Sequence, residues 1–213
     1  MGFALTSKDY LAYMKLAADK IAANKEYVSD LDAATGDGDH WFNMDMGFSK
    51  VMEKAPELEA LAPAVLFKQI GMIMMCTIGG SAGALYGSGY ISAAKALGGA
   101  ALIDQPALAA ALEAMLKGIC ERGNSKPGMK TLIDTIGPAV HAYQSAIERG
   151  EGEKEALLLL KAAARQGMES TRDMEAVRGR AYYQAGKGVG HLDPGAVTML
   201  FQLETLADFI LSM

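Results

Sequence analysis

From Gln69 to Ala94 the chain carries no formal charge. A run of that length can cross a bilayer, so the fold must hide it either in lipid or in its own interior. Gly79, Gly80, Gly83, Gly87 and Gly89 interrupt the run, with Ser81, Ser88 and Ser92 among them. The flanks carry single lysines, Lys68 and Lys95, with no basic cluster and no aromatic belt. The run therefore reads as two buried helices joined by a glycine turn. Two helices that apolar need others packed around them.

The rest of the chain can supply those others. Ala, Leu, Met, Glu and Lys dominate, and alternating β-branched runs are nearly absent, which predicts an all-α protein. At 213 residues, 51% hydrophobic and 21% charged, one domain spanning 1–213 is the economical reading. Apolar spacing predicts about eight helices. The first runs from near Ser7, a candidate N-cap, to Leu31, and the second covers about 41–54, ending before Pro56. The third starts at Pro63 and reaches about Ile78; the fourth covers about 83–97. Asp104 and Pro106 open a fifth helix to about Arg122. The sixth and seventh cover about 130–149 and 153–172. The last follows the cap pair Asp193–Pro194. Long helices with short connections predict antiparallel neighbours, in an up-and-down bundle or closed eight-helix barrel.

The unusual segments fall at alternate connections: 32–40, 79–83, 123–128 and 173–193. Helices that run up and down in order place alternate loops at one end. All four segments are thus expected around a single composite site.

The first of them reads DAATGDGDHWFN, with Asp32, Asp37 and Asp39 inside eight residues. Three crowded anions repel and need a counter-charge. A hard divalent cation with oxygen ligands is the candidate, and Mg²⁺ usually brings a phosphate. An EF-hand does not fit, because Phe48 stands where a loop counted from Asp37 needs a bidentate acid. An Asp/Gly turn capping the next helix is the plain alternative. Two Mg²⁺ ions would bridge the carboxylates to phosphate oxygens and remove a repulsion of roughly 4 kcal/mol per close charge pair at an effective dielectric near 20.

Gly79–Gly80–Ser81–Ala82–Gly83 could present backbone N–H groups to a phosphate, or could serve only close helix packing. It lacks the Lys-Ser/Thr ending of a Walker A loop. Arg180 and Lys187 lie on the glycine-rich stretch 173–192, which reads as an ordered loop or lid whose cations could cover phosphates. His191 reads as a general acid, a ligand donor or a loop-fixing residue. Asp193 reads first as a helix cap. Trp41, the sole tryptophan, reads as rim packing or a base-stacking surface.

A net charge of −5 argues against nucleic acid or an anionic membrane as partner. Cys76 and Cys120 are too few for a disulfide framework, and Cys76, within an apolar run, is expected to be buried. The N-terminal MGFALTSKDY has no basic segment followed by an apolar core, so a cytoplasmic setting is the expectation.

GDGDHWFNM, GGSAGALYG, RGNSKPGMKTLID and GRAYYQAGKGVGHLDPGA occur in this order across the chain. In order and spacing they resemble the nucleotide-binding L subunits of dihydroxyacetone kinases. The resemblance covers essentially the whole chain. It implies an eight-helix antiparallel barrel holding ADP or ATP and two Mg²⁺ at one end. Asp32, Asp37 and Asp39 would hold the metals. His40, Trp41, Phe42 and Asn43 would lie along the nucleotide, with Gly80, Ser81, Ala82, Gly123 and Leu132. Arg180, as the catalytic cation, and His191, Asp193, Pro194 and Gly195 would close over it.

In the phosphotransferase-system version of this family, a phosphocarrier M subunit rephosphorylates ADP in place. The phosphoryl group then passes to dihydroxyacetone, a small hydroxyketone, on a separate K subunit. The fused kinases instead carry both domains in one polypeptide. Five positions depart from the family pattern. Met129 replaces an acidic residue, Gly186 and Lys187 replace an acidic residue and an arginine, Trp41 replaces a glycine, and Ala82 stands where serine is common. Three other readings stand beside this one: an ATP-dependent sugar kinase with freely exchanging nucleotide, a non-catalytic regulatory module, and a helical scaffold. The oligomeric state, monomer or homodimer, is left open.

Overall fold

The computed structural model describes residues 2–213, and among these nine α-helices form the architecture. They are α1 (Ser7–Ala23), α2 (Lys25–Thr35), α3 (His40–Leu58), α4 (Pro63–Thr77), α5 (Gly80–Leu97), α6 (Gln105–Gly123), α7 (Ile133–Glu148), α8 (Glu153–Ser170) and α9 (Pro194–Leu211). One short antiparallel pair, Ala4–Leu5 with Ile103–Asp104, ties the start of the chain to the α5–α6 connection. No described helix is long and apolar enough to cross a membrane.

The helix ends follow local chemistry. Thr6, not Ser7, caps α1 through a reciprocal box with Asp9, while the Ser7 hydroxyl donates to the Leu61 carbonyl. Asp104 caps α6 at the Ala107 N–H, and Asp193 caps α9 at the Ala196 N–H.

The expected first helix is broken in two at Asn24. Its side-chain amide donates back to the Lys20 carbonyl at 2.7 Å, and its own N–H reaches Ile21 rather than Lys20. An amide side chain that competes for the backbone ends a helix this way. The α3 helix, by contrast, runs through Pro56, because buried Leu58 holds its last turn against the core. The expected second helix was therefore too short.

Each helix packs on the next: α1 on α3, then α4, α5, α6, α7, α8 and α9 in turn, and α9 returns to α1. The small α2 fills the corner between α3 and α9. The charge-free run becomes α4 and α5, packed on each other. The apolar surface covered between them and their neighbours is worth roughly 25 cal/mol per Å². Cys76 is exposed, contrary to expectation. It falls on the outward stripe of α4 beside exposed Met72 and Met75, while Ile70 and Met74 face inward.

Inside, Tyr10 packs on Phe67 with ring centroids 4.5 Å apart, and Phe67 on Tyr90 at 5.5 Å. Gln202 of α9 donates to the Tyr86 hydroxyl of α5 at 2.8 Å. Buried Glu204 pairs with Lys20 of α1 and Arg165 of α8. A buried carboxylate needs such partners, and these fix α9 against its neighbours.

Candidate functional site

Helices α3, α5, α7 and α9 all begin at one cavity of about 540 Å³. Its walls include His40 and Asn43, Gly79 to Ala82, Thr131 to Ile133, and Asp193 to Gly195. The first N–H groups of a helix have no partner within the helix, and its dipole makes that end positive. Four such ends around one cavity could draw an anion to it, although the His40, Ile133 and Ala196 N–H groups already donate to Asp32, Thr131 and Asp193. The convergence follows from the alternation of the helices: once α1 and α2 are counted as one bent rod, every second connection falls at this end.

The aspartates sit on the floor. Asp32 is buried near the end of α2; Asp37 and Asp39 are exposed on the bend that follows. Each offers one carboxylate oxygen, and the three lie within 4.8 Å of one another. Gly38, at φ +78°, makes the left-handed step that folds the bend back. The His40 N–H donates to Asp32 Oδ2 at 2.9 Å, so the first turn of α3 steadies the buried carboxylate. His40 Nε2 lies 2.9 Å from the Thr198 hydroxyl, which also meets the Pro194 and Gly195 carbonyls. Burial pulls the His40 imidazole down to about 4, against the opposing charge of Asp32, so the ring is neutral near pH 7. Three hard oxygen ligands with a neutral imidazole beside them suit Mg²⁺.

Across the cavity, the loop between α6 and α7 is organised by Asp134. Its carboxylate accepts from the Gly128 N–H at 2.5 Å and the Thr131 N–H at 2.7 Å. Asp193 lies between this loop and α9. Burial pushes its carboxyl up to about 7; the Ala196 N–H and Lys130 oppose this, and Asp134 and Asp32 add to it.

The stretch from α8 to α9 lies over the opening, with 3₁₀ turns at Arg180–Tyr183 and Ala185–Gly188. It brings the Arg180 guanidinium to 2.6 Å from Asp37. The Arg178 guanidinium donates to the Asn124 carbonyl at 3.0 and 3.2 Å, and Lys187 pairs with Glu175 within the lid itself.

Asp32, Asp37, Asp39, His40, Asn43, Gly80, Ser81, Ala82, Gly123, Leu132, Arg180, Asp193, Pro194 and Gly195 all line this cavity. Trp41, Phe42 and His191 do not. One residue past His40 the helix has turned away, and the Trp41 indole N–H donates to the Ile21 carbonyl at 2.9 Å, with Lys25 over the ring. Phe42 points outward. The His191 ring is exposed, and this residue contributes its carbonyl, which accepts from Lys130.

Sequence reasoning passed over Lys130, Asp134, Thr35, Arg122 and Arg178. Asp134 had a signal: Thr131 and Asp134 have capping-box spacing before an apolar run. Lys130 had none, since a single lysine in a loop usually faces water.

A model of the DAK2 domain family matches residues 34–208. The ADP-binding subunit DhaL of the PEP-dependent dihydroxyacetone kinase of Escherichia coli (strain K12) is 32% identical over 203 residues, covering 95% of this chain and 97% of that relative. The corresponding subunit of dihydroxyacetone kinase 1 of Listeria innocua is 36% identical over 190 residues, covering 89% and 90%. The crystal structure of the dihydroxyacetone kinase from C. freundii in complex with AMP-PNP and Mg2+ superposes with a TM-score of 0.72 at 23% identity. That superposition covers 93% of this chain and 33% of the C. freundii chain, so the present chain spans about a third of that protein, and the likeness is one of fold.

Proposed function

This chain belongs to the DAK2 domain family, and on that premise we propose that it is the ADP- and ATP-binding subunit of a dihydroxyacetone-type kinase. The chain acts as one nucleotide-binding domain over residues 1–213, in the cytoplasm. Its reaction is phosphoryl transfer from the nucleotide to dihydroxyacetone, or a related small ketose, held on a partner K subunit. A phosphocarrier M subunit rephosphorylates ADP in place. The naming of relatives matched along nearly their whole length supports this reading.

The observation that carries it is the pairing of opposites at one cavity: three carboxylate oxygens within 4.8 Å of one another beneath four helix N-termini. Carboxylates alone would repel a phosphate chain, and helix N-termini alone would need no carboxylates. Together they suit a phosphate chain that arrives with cations.

The bound Mg²⁺–nucleotide supplies the phosphoryl group and, in its two metal ions, the charge that lets phosphate and carboxylate share a site. Asp32, steadied by the His40 N–H, would be the fixed ligand, and Asp37 and Asp39, on the bend, would complete the set. The N–H groups at the starts of α5 and α9, around Ser81, Ala82 and Gly195, would receive phosphate oxygens. Leu132 and Gly123 form the side of the cavity for the nucleoside. Arg180, held at Asp37 on the lid, would supply positive charge to the transferring group. No covalent step falls to this chain. It contributes position and charge, which is what phosphoryl transfer requires.

The test is direct. The purified chain should carry ADP that resists dialysis until Mg²⁺ is chelated. Asp37→Ala should lose thermal stabilisation by Mg·ADP. A nucleotide-free protein indifferent to EDTA, or an Asp37→Ala variant stabilised like the parent, would overturn the reading.

A further inference from the structure

Lys130 is a buried lysine that the proposed chemistry does not use. Its side chain is 2% exposed, and its backbone sits at φ +59°, a left-handed position that few non-glycine residues adopt. An ammonium group is costly to bury unless its donors are taken up. Here they go to two backbone carbonyls, Thr171 and His191, the second at 2.5 Å. Burial lowers the Lys130 ammonium, while Asp193, Asp173 and Asp134 favour its charge.

Those two carbonyls mark the points where the lid leaves the body and returns. Next to them the Gly190 N–H donates to the Arg172 carbonyl at 2.8 Å, and the Asp193 N–H to the Thr171 hydroxyl at 3.1 Å. The segment from Arg172 to Gly190 is thus a closed loop with adjacent ends. It meets the α6–α7 loop again where the Val177 N–H donates to the Met129 carbonyl at 3.2 Å, one residue before Lys130. Gly188, at φ +71°, lies so close that a Cβ there would come 3.0 Å from Lys130 Cε. The lid's remaining ties to the body include Arg178 on the Asn124 carbonyl and Arg180 on Asp37, both carried by exposed guanidinium groups.

We propose that Lys130 is the positioning residue of the lid: its ammonium joins both roots of the 172–190 loop to the α6–α7 loop, so that Arg180 is delivered over the aspartates by a rigid unit. A lysine suits the task because it offers three donors and no acceptor at the end of a long stem. A carboxylate at this position has no donor for either carbonyl, and an amide is shorter and carries no charge. That Lys130 secures the lid is independent of the ligand; the consequence for nucleotide retention rests on the nucleotide-site reading above.

The experiment compares Lys130→Met with the parent full-length chain by amide hydrogen exchange, first without ligand and then with ADP and Mg²⁺. The expected result without ligand is exchange faster by about tenfold or more at Val177, Gly190 and Asp193, as loss of charge-assisted hydrogen bonds implies, with α1 and α6 unchanged. With ligand, release of ADP quickens to a similar degree. Lid amides that exchange at the parental rate overturn the proposal, and so does equal loosening of α1 and α6, which would make Lys130 a support of the whole fold. If Lys130→Met is not recovered folded, Lys130→Gln, whose amide is shorter and uncharged, carries the same comparison. A parent chain that binds no ADP would sink the nucleotide reading and leave the ligand-free comparison decisive for the clamp.

Discussion

The Arg180 guanidinium lies 2.6 Å from the carboxylate of Asp37, so the lid's arginine rests on one of the three aspartates of the floor. Both side chains are substantially exposed, at 66% and 37%, so the pair adds little to stability. Its importance is positional. It shows a cation on the lid within reach of the place where metal and phosphate charge would meet.

Arg180→Ala should therefore act on the reaction more than on binding. Turnover should fall on the order of 100- to 1,000-fold, the usual loss when a donor to a developing charge is removed. If the aspartates and helix N-termini hold the nucleotide as proposed, ADP retention should change only a few-fold. A coupled turnover assay and equilibrium dialysis read the two quantities separately. Equal losses in both would assign Arg180 to binding alone.

Asp193 makes stability depend on pH. Its carboxyl is pushed up to about 7 in the folded chain, so between the unfolded value near 4 and about 7 the folded state holds the extra proton. Stability from this group is present at the acid end and is lost as pH rises through that window. The groups facing it are Lys130 and Asp134 from the α6–α7 side and Asp32 from α2. The ligand-free chain should lose on the order of 2–4 kcal/mol from this source between pH 4 and 7. Asp193→Asn, which keeps an acceptor for the Ala196 N–H, should remove that part of the slope. Urea titrations at pH 4.5, 6 and 7.5 measure it.

Gly83 lies just inside α5 where the chain doubles back from α4, and a Cβ there would overlap the Ile78 carbonyl oxygen. The obstacle is backbone and cannot swing aside. Gly83→Ala should cost about 2–3 kcal/mol, in the range of overpacking. Urea denaturation should show a lower midpoint with an unchanged slope. A variant as stable as the parent would mean that the α4–α5 turn relaxes freely.

Trp41 should report on the fold and not on the nucleotide. Its indole N–H is spent on the Ile21 carbonyl at the end of α1, and the side chain does not line the cavity. Trp41→Phe should cost about 1 kcal/mol of stability, the usual worth of one hydrogen bond, and leave ADP affinity unchanged within about twofold. Isothermal titration would show a larger affinity loss if the ring stacks on the base.

Residue order alone determined a good deal. Pro63, Asp104 with Pro106, and Asp193 with Pro194 mark helix starts by chemistry that acts within a turn, and the helices begin there. Apolar period separated helix from strand. The order of helices and loops, with no distances at all, placed 32–40, 79–83, 123–128 and 173–193 at one end, and all four segments contribute to one cavity. Three aspartates in eight residues already stated the charge problem that such a cavity must solve.

Tertiary contacts decided the rest. Trp41, Phe42 and His191 stand beside cavity residues in sequence and face elsewhere, since a single residue's step around a helix or turn redirects a side chain by a large angle. Cys76 is exposed because its stripe of α4 meets no neighbour. Lys130 is buried because carbonyls forty-one and sixty-one residues away come together around its ammonium. Caps and periodicity are local and can be read along the chain, whereas burial and partnership belong to distant residues, and only the packed helices bring those together.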